Sequence, residues 1–262
     1  MKNKDKGTTP MPNKAKLYVA STAAAGLSLL AVGLFQGGFP NLTRFASYLA
    51  LALLASTLKL RLPGMTGTMS VSFLFILMGI GDYTFSETIA MGCAAALIQS
   101  VWKAQRRPKL VQVVFNMAAL AIAIGVAYWG SHFVLAAVHT DSLTILLALA
   151  ASLFFLTNTG LVTTVISLVE ERPFRKVWQQ CHAWAFPYYL VGAAIAGLVV
   201  ASGRSAGWKP ALLVLPMMYL VYLYYRLYLE NAARPQLQLA AEGGHVAMAM
   251  PSSEAMAAAI RD

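Results

Sequence analysis

The sequence is poor in charged residues. Of its 262 residues only 11% are charged, whereas 58% are hydrophobic. Soluble globular domains carry roughly 25% charged residues, so this composition excludes an ordinary water-soluble enzyme. Acidic residues are the scarcer kind, with 10 against 20 lysines and arginines, and the net charge is +10. Because the basic residues lie in short clusters between apolar runs rather than in one patch, a nucleic-acid-binding module is excluded too.

Cysteine is also scarce, and motifs of known catalytic mechanism are missing. The two cysteines are too few for a disulfide framework or a cysteine-rich metal site. The sequence has no Walker loop, nucleophile elbow, HExxH motif or dinucleotide fingerprint. We therefore predict a chain that is not an enzyme and that uses no cofactor and no metal.

Long apolar runs dominate the rest of the sequence. A bilayer core about 30 Å thick requires about 20 apolar helical residues, and eight segments come close to that length. They predict an all-α, polytopic helical membrane protein with about eight transmembrane helices. The third segment lies between Gly64 and Gly81 and is either a short tilted span or a re-entrant hairpin with the fourth. The segments are 17–35, 45–62, 66–81, 84–102, 110–130, 143–169, 183–202 and 210–229.

The basic residues predict the orientation. When eight spans are threaded from a cytoplasmic N-terminus, all but three basic residues fall inside, the exceptions being Arg44, Arg204 and Lys209. Since cytoplasmic loops are enriched in lysine and arginine, both termini are predicted to be cytoplasmic. The predicted parts are a basic N-terminal tail at 1–16, a transmembrane helical domain at 17–230 and a cytoplasmic tail or linker at 231–262.

Polar residues near the middle of the spans are candidates for ligand binding. Asn116 lies in the fifth span, Thr157 and Asn158 in the sixth, and Tyr188 and Tyr189 in the seventh. At 1.5 Å per residue they lie at similar depths from the cytoplasmic ends. Their amides and hydroxyls suit a neutral or zwitterionic ligand. The alternative interpretation is structural, because such residues commonly form hydrogen bonds between membrane helices.

Two acidic residues flank the start of the fourth span. Asp82 and Glu87 lie near the predicted outer interface. One interpretation is a helix start, where negative charge is favoured by the helix dipole. The other is an outward-facing polar mouth for a cation or an amine ligand.

Several stretches of the sequence occur in a familiar order between about Ala50 and Glu230. They are "TGTMSVSFLFILMG", "QRRPKLVQVVFNMAALAIA", "LTNTGLVTTVISLVEERPFRKVWQQ", "WAFPYYLVGAAIAGLV" and "YLYYRLYLENAAR". This order resembles the multi-span membrane region that precedes HD-GYP or GGDEF signalling domains in many bacterial proteins. The resemblance implies a sensory or regulatory input module of the bacterial inner membrane.

The sequence departs from that resemblance in its output part. Neither the His-Asp motif of an HD-GYP domain nor the loop that names the GGDEF domain is present. We therefore expect an input module without its own output, embedded in the lipid bilayer. Its tail at 231–262 is expected to contact a cytoplasmic signalling output protein or a second copy of the chain. The alternative function is a small-molecule-binding membrane transport subunit of the substrate-capture type, with Asn116, Asn158 and Tyr188 at the binding level.

Overall fold

Helices make up most of the part of the chain that the structure describes. The structure is a computed structural model and describes residues 11–57, 59–61, 68–70, 72–102, 109–181, 186–206 and 223. In chain order the elements are α1 (Asn13–Gln36), α2 (Leu42–Ser56), β1 (Lys59–Arg61), β2 (Thr68–Ser70), α3 (Phe73–Asp82), α4 (Phe85–Val101), α5 (Leu110–Val138), α6 (Leu143–Glu170), α7 (Phe174–Cys181) and α8 (Phe186–Ala206).

Four of these helices are long and apolar enough to cross a membrane. They are α1, α5, α6 and α8, with apolar stretches at Asn13–Phe35, Leu110–Val138, Leu143–Glu170 and Phe186–Gly203. A helix rises 1.5 Å per residue, so even the 18 residues of the shortest stretch reach about 27 Å. These helices agree with the predicted class of helical membrane protein. The number of eight spans and the orientation stay predictions.

Two of the predicted spans are interrupted, and their predicted bounds are wrong. The segment 45–62 is helical only to Ser56, and the segment 66–81 contains a strand before its helix. β1 and β2 pair antiparallel, with Leu60 opposite Met69. Pro63 and Gly64 lie between the strands in the sequence and disfavour a continuous helix. The predicted segment 210–229 and tail 231–262 lie outside the described residues, apart from Leu223.

α3 is short and lies at the centre of the bundle. Its ten residues reach only about 15 Å, and every residue from Phe73 to Ile80 is buried. It packs against α4, α6 and α8. A helix that is apolar on all sides is stable only when it is surrounded, which explains this position. Near the C-terminal end of α3, a β-carbon at Gly81 would lie 3.4 Å from the side chain of Leu143 and 3.7 Å from that of Val200. This end of α3 therefore lies close to the start of α6.

α7 is a helix that the sequence interpretation treated as a loop. It follows Glu171, whose left-handed backbone (φ 53°) ends α6. Val177 is only 1% exposed, and the ring of Trp178 lies 5.9 Å from that of Phe155. These two residues attach α7 to the side of α6.

Candidate functional site

A cleft of about 230 Å³ lies where α2 begins and α3 meets α4. We call it the α2–α4 cleft. It contains Asp82 and Glu87, the two acidic residues for which the sequence left open a helix start or an outward-facing polar mouth. Its lining residues are Pro40, Asn41, Arg44, Asp82, Tyr83, Thr84, Glu87 and Tyr128.

The first turn of α4 fixes the position of Glu87. Thr84 precedes the helix, and its Oγ1 accepts a hydrogen bond of 3.3 Å from the backbone N–H of Glu87. In return the backbone N–H of Thr84 donates to Glu87 Oε2 at 3.0 Å. This reciprocal arrangement is a capping box, for which the spacing of threonine and glutamate is the sequence signal. The helix-start interpretation of Glu87 therefore describes the local geometry correctly.

The capping box leaves part of the Glu87 carboxylate available. The residue is 2% exposed, and the Thr84 hydroxyl also donates to Oε2, at 3.0 Å. Both of these hydrogen bonds involve Oε2, and Oε1 accepts none from the described part of the chain. A buried carboxylate is expected to be paired, because removing it from water is costly. Glu87 is thus a mostly buried acid on the wall of the cleft, with one oxygen held by Thr84 and the other without a hydrogen bond from the described residues.

Arg44 and Asp82 form an ion pair across the cleft, joining the first turn of α2 to the last residue of α3. Their side chains are 38% and 20% exposed, so water screens much of the attraction between them. The guanidinium carbon of Arg44 also lies 4.9 Å from the centroid of the Tyr83 ring. A cation within about 6 Å of a tyrosine centroid is attracted to the ring face. Arg44 therefore occupies an environment of carboxylate and aromatic ring that suits an organic cation.

Tyr83 and Tyr128 form the aromatic wall of the cleft. The Tyr128 hydroxyl donates to the backbone carbonyl of Tyr83 at 3.3 Å. The Tyr83 hydroxyl is buried and makes no hydrogen bond with the described residues. Burial raises the pKa of Tyr83, an effect that the charge of Arg44 only partly opposes, so this hydroxyl stays protonated.

The polar residues predicted at mid-span are not all together. Tyr188 and Tyr189 are buried, and the ring centroid of Phe73 lies 4.9 Å from each of theirs. Asn158 and Thr157 are both half-buried, and the Asn158 side chain interacts with that of Tyr189.

Asn116, in contrast, is exposed on the surface of α5 and does not line this buried cluster. The grouping of Asn116 with the tyrosines is therefore not reproduced. The ligand-binding roles of all five residues stay predictions.

Sequence reasoning missed Arg44, Tyr83 and Tyr128 as members of the cleft. Arg44 had one signal, because it is one of only three basic residues on the predicted outer side. Tyr83 and Tyr128 had no such signal in the sequence, since their closeness to each other depends on how α5 packs against the α3–α4 turn. Within the described ranges, no three His, Cys, Asp or Glu side chains come together as a metal site requires.

The apolar helices and the family comparison together indicate a membrane-associated sensory domain of the kind found in signalling proteins. More specifically, the MASE9 family model matches residues 55–201, more than half of the chain, so the chain belongs to the MASE9 family. No curated protein and no solved structure matches the chain.

The matched range divides the cleft. Asp82, Tyr83, Glu87 and Tyr128 lie inside it, whereas Arg44 precedes it. The acidic and aromatic residues of the cleft therefore belong to the sensory domain, whereas its guanidinium is contributed by Arg44 in α2, before the matched range.

Proposed function

We propose that the chain is a multi-pass sensory module of the bacterial inner membrane, whose state is read by a cyclic-di-nucleotide signalling protein in the cytoplasm. The observation that carries this proposal is the MASE9 match across a helical membrane body. The resemblance to regions that precede HD-GYP and GGDEF domains supports the finer assignment to cyclic-di-nucleotide signalling. In this proposal the module does not catalyse a reaction by itself.

α3 is the element that connects the cleft to the rest of the module. Asp82 at one end of α3 is paired to Arg44, and Phe73 at the other end lies directly against the backbone of Gly192 in α8. A β-carbon at Gly192 would come within 2.2 Å of the Phe73 ring, so there is no space between the two helices at this point. Because a packed interior does not deform gradually, a displacement of α3 at the cleft would displace α8.

The proposed output contact is made by residues 231–262, which lie outside the described residues. The partner is either a cytoplasmic protein with a cyclic-di-nucleotide domain or a second copy of the chain. In this proposal, a change of charge at the cleft is the input signal, and the contact made by the tail is the output.

Site-specific photo-crosslinking of the full chain in its native membrane tests this proposal. A photoreactive residue at Leu239, in the tail, is expected to form an adduct that mass spectrometry identifies as a protein with a cyclic-di-nucleotide domain or as a second copy. The matched control carries the same residue at Asp141, in the α5–α6 connection at the opposite predicted side. If Leu239 yields neither adduct above the Asp141 control, the proposal is wrong.

A further inference from the structure

The charges in the α2–α4 cleft do not balance. The lining holds two carboxylates, Asp82 and Glu87, and one guanidinium, Arg44. Asp82 is already paired with Arg44. Within the part of the chain that the structure describes, the Glu87 carboxylate accepts hydrogen bonds only from the neutral donors of Thr84, both at Oε2. A positively charged group in the cleft would complete the pairing of this buried acid.

An anionic ligand fits the same cleft poorly. It would have to displace Asp82 from Arg44, and it would then lie beside the buried carboxylate of Glu87. Like charges at close range repel each other, and water screens this repulsion least at Glu87, which is only 2% exposed. The arrangement of the three charges therefore selects a cation.

The size and the walls of the cleft restrict that cation further. The cleft has a volume of about 230 Å³. It is smaller than the roughly 300–1,000 Å³ of pockets for drug-sized molecules. The rings of Tyr83 and Tyr128 provide an apolar surface beside the acid. A compact molecule with one positive end and a short apolar part matches these features.

We propose that the α2–α4 cleft binds a small primary ammonium compound, whose ammonium group donates a hydrogen bond to Glu87 Oε1 and whose apolar part packs against Tyr83 and Tyr128. Asp82 stays paired with Arg44, so the bound ammonium and the guanidinium share the cleft. Repulsion between these two cations weakens binding and makes the Arg44 side chain responsive to the ligand. The identification of this ligand class as the signal of the module rests on the proposed sensory function.

Thermal unfolding of the purified full chain in lipid nanodiscs tests the ligand class. Propylammonium chloride is expected to raise the Tm with increasing concentration, whereas potassium chloride and sodium butyrate at equal concentrations are not. Stabilisation by butyrate, or equal stabilisation by potassium, would overturn the proposal. No effect of propylammonium up to about 50 mM would do so as well.

Two variants test the position of the bound ammonium group. Glu87→Gln removes the charge but keeps a side chain that completes a capping box with Thr84. It is expected to weaken propylammonium binding about tenfold or more, as about 1.4 kcal/mol is lost per tenfold. The matched control is Glu170→Gln, an exposed acid at the end of α6, which is expected to bind as the unmodified chain does. Equal binding by Glu87→Gln and the control contradicts the proposal.

Arg44→Gln changes binding in the opposite direction. It removes the competing cation, so propylammonium is expected to bind several-fold more tightly, a gain that misfolding cannot produce. If Glu87→Gln does not fold, the absence of this gain is sufficient to reject the proposal. The outcome is independent of the tail: crosslinking can fail while ammonium binds, and binding can fail while Leu239 still crosslinks to a signalling protein.

Discussion

Glu87 illustrates how one residue can serve two purposes. Thr84 and Glu87 form the capping box at the start of α4, and its hydrogen bonds also hold the Glu87 carboxylate in the wall of the cleft. The two interpretations that the sequence left open, a helix start and a polar mouth, therefore do not exclude each other. What the sequence could not predict is the burial of Glu87, because that depends on which helices cover the first turn of α4.

Gly26 is the residue whose side-chain size is most constrained by a neighbouring backbone. A β-carbon at this position in α1 would lie 2.3 Å from the carbonyl oxygen of Ala118 in α5, so the two helix backbones are in direct contact. Small residues permit such close approach between membrane helices. Ala118 is the opposing small residue, and it is itself buried.

We expect Gly26→Ala to lower the stability of the bundle by about 1–3 kcal/mol, the usual cost of an overpacked interior. The cost arises because the backbone of Ala118 cannot move aside as a flexible side chain would. Thermal unfolding in detergent measures the change. Gly203→Ala in α8 is the control, since no side chain or other element among the described residues comes within 4 Å of a β-carbon there. There the greater helix propensity of alanine is expected to leave the stability unchanged or raise it by up to about 1 kcal/mol. A Gly26→Ala variant as stable as this control would contradict the expected close contact.

At the scale of whole elements, the sequence predicted the long helices well and the short ones poorly. α5 and α6 each contain one of the predicted spans, because an apolar run of that length has few alternatives to a membrane helix. The segment 66–81 was ambiguous for a physical reason: about ten apolar residues suit a buried core helix, a re-entrant segment or part of a span equally. In the structure the segment is a strand followed by a ten-residue helix that is buried inside the bundle. The packing of α3 and the pairing of β1 with β2 both depend on residues distant in the sequence.

α7 was missed although the sequence contains a signal for it. Phe174, Val177, Trp178 and Cys181 recur at intervals of three and four residues, which is typical of one apolar face of a helix. The basic residues Arg175 and Lys176 between them favoured the interpretation as a cytoplasmic loop. The segment is a short helix that packs against α6 through Trp178, while Arg175 and Lys176 stay exposed, and its cytoplasmic side stays a prediction.

Val177→Asp is expected to detach α7 from α6. Val177 is 1% exposed, so the new carboxylate would be buried without a partner unless the helix moves away. Hydrogen exchange of the full chain should then show faster exchange across Phe174–Cys181, with little change in α5. Gln179→Asp introduces the same side chain at an exposed position of α7 and should leave the exchange rates as they are. Equal exchange in the two variants would mean that Val177 does not anchor the helix.

At the scale of the whole molecule, the predicted orientation determines which compartment the cleft samples. A β-carbon at Gly81, next to Asp82, would lie 3.4 Å from the side chain of Leu143 at the start of α6, so the cleft and the α5–α6 connection lie at the same end of the bundle. The C-terminal end of α6 lies towards the other end of the bundle, since α6 is 28 residues long, and α7 follows it in the chain. With the basic residues concentrated on the side of the N-terminus, the cleft is predicted to face outward and α7 to face the cytoplasm.

Thiol labelling in intact cells measures this orientation. In a background with Cys93→Ala and Cys181→Ala, a membrane-impermeant maleimide is expected to label Asp141→Cys but not Glu170→Cys. Both positions are exposed, Asp141 just before α6 and Glu170 at its end. Access of the maleimide to the two cysteines is therefore expected to differ only by the side of the membrane. Permeabilised cells provide the control, in which both variants should react. Labelling of Glu170→Cys alone in intact cells would reverse the orientation, and the cleft would then sample cytoplasmic ammonium compounds instead of external ones.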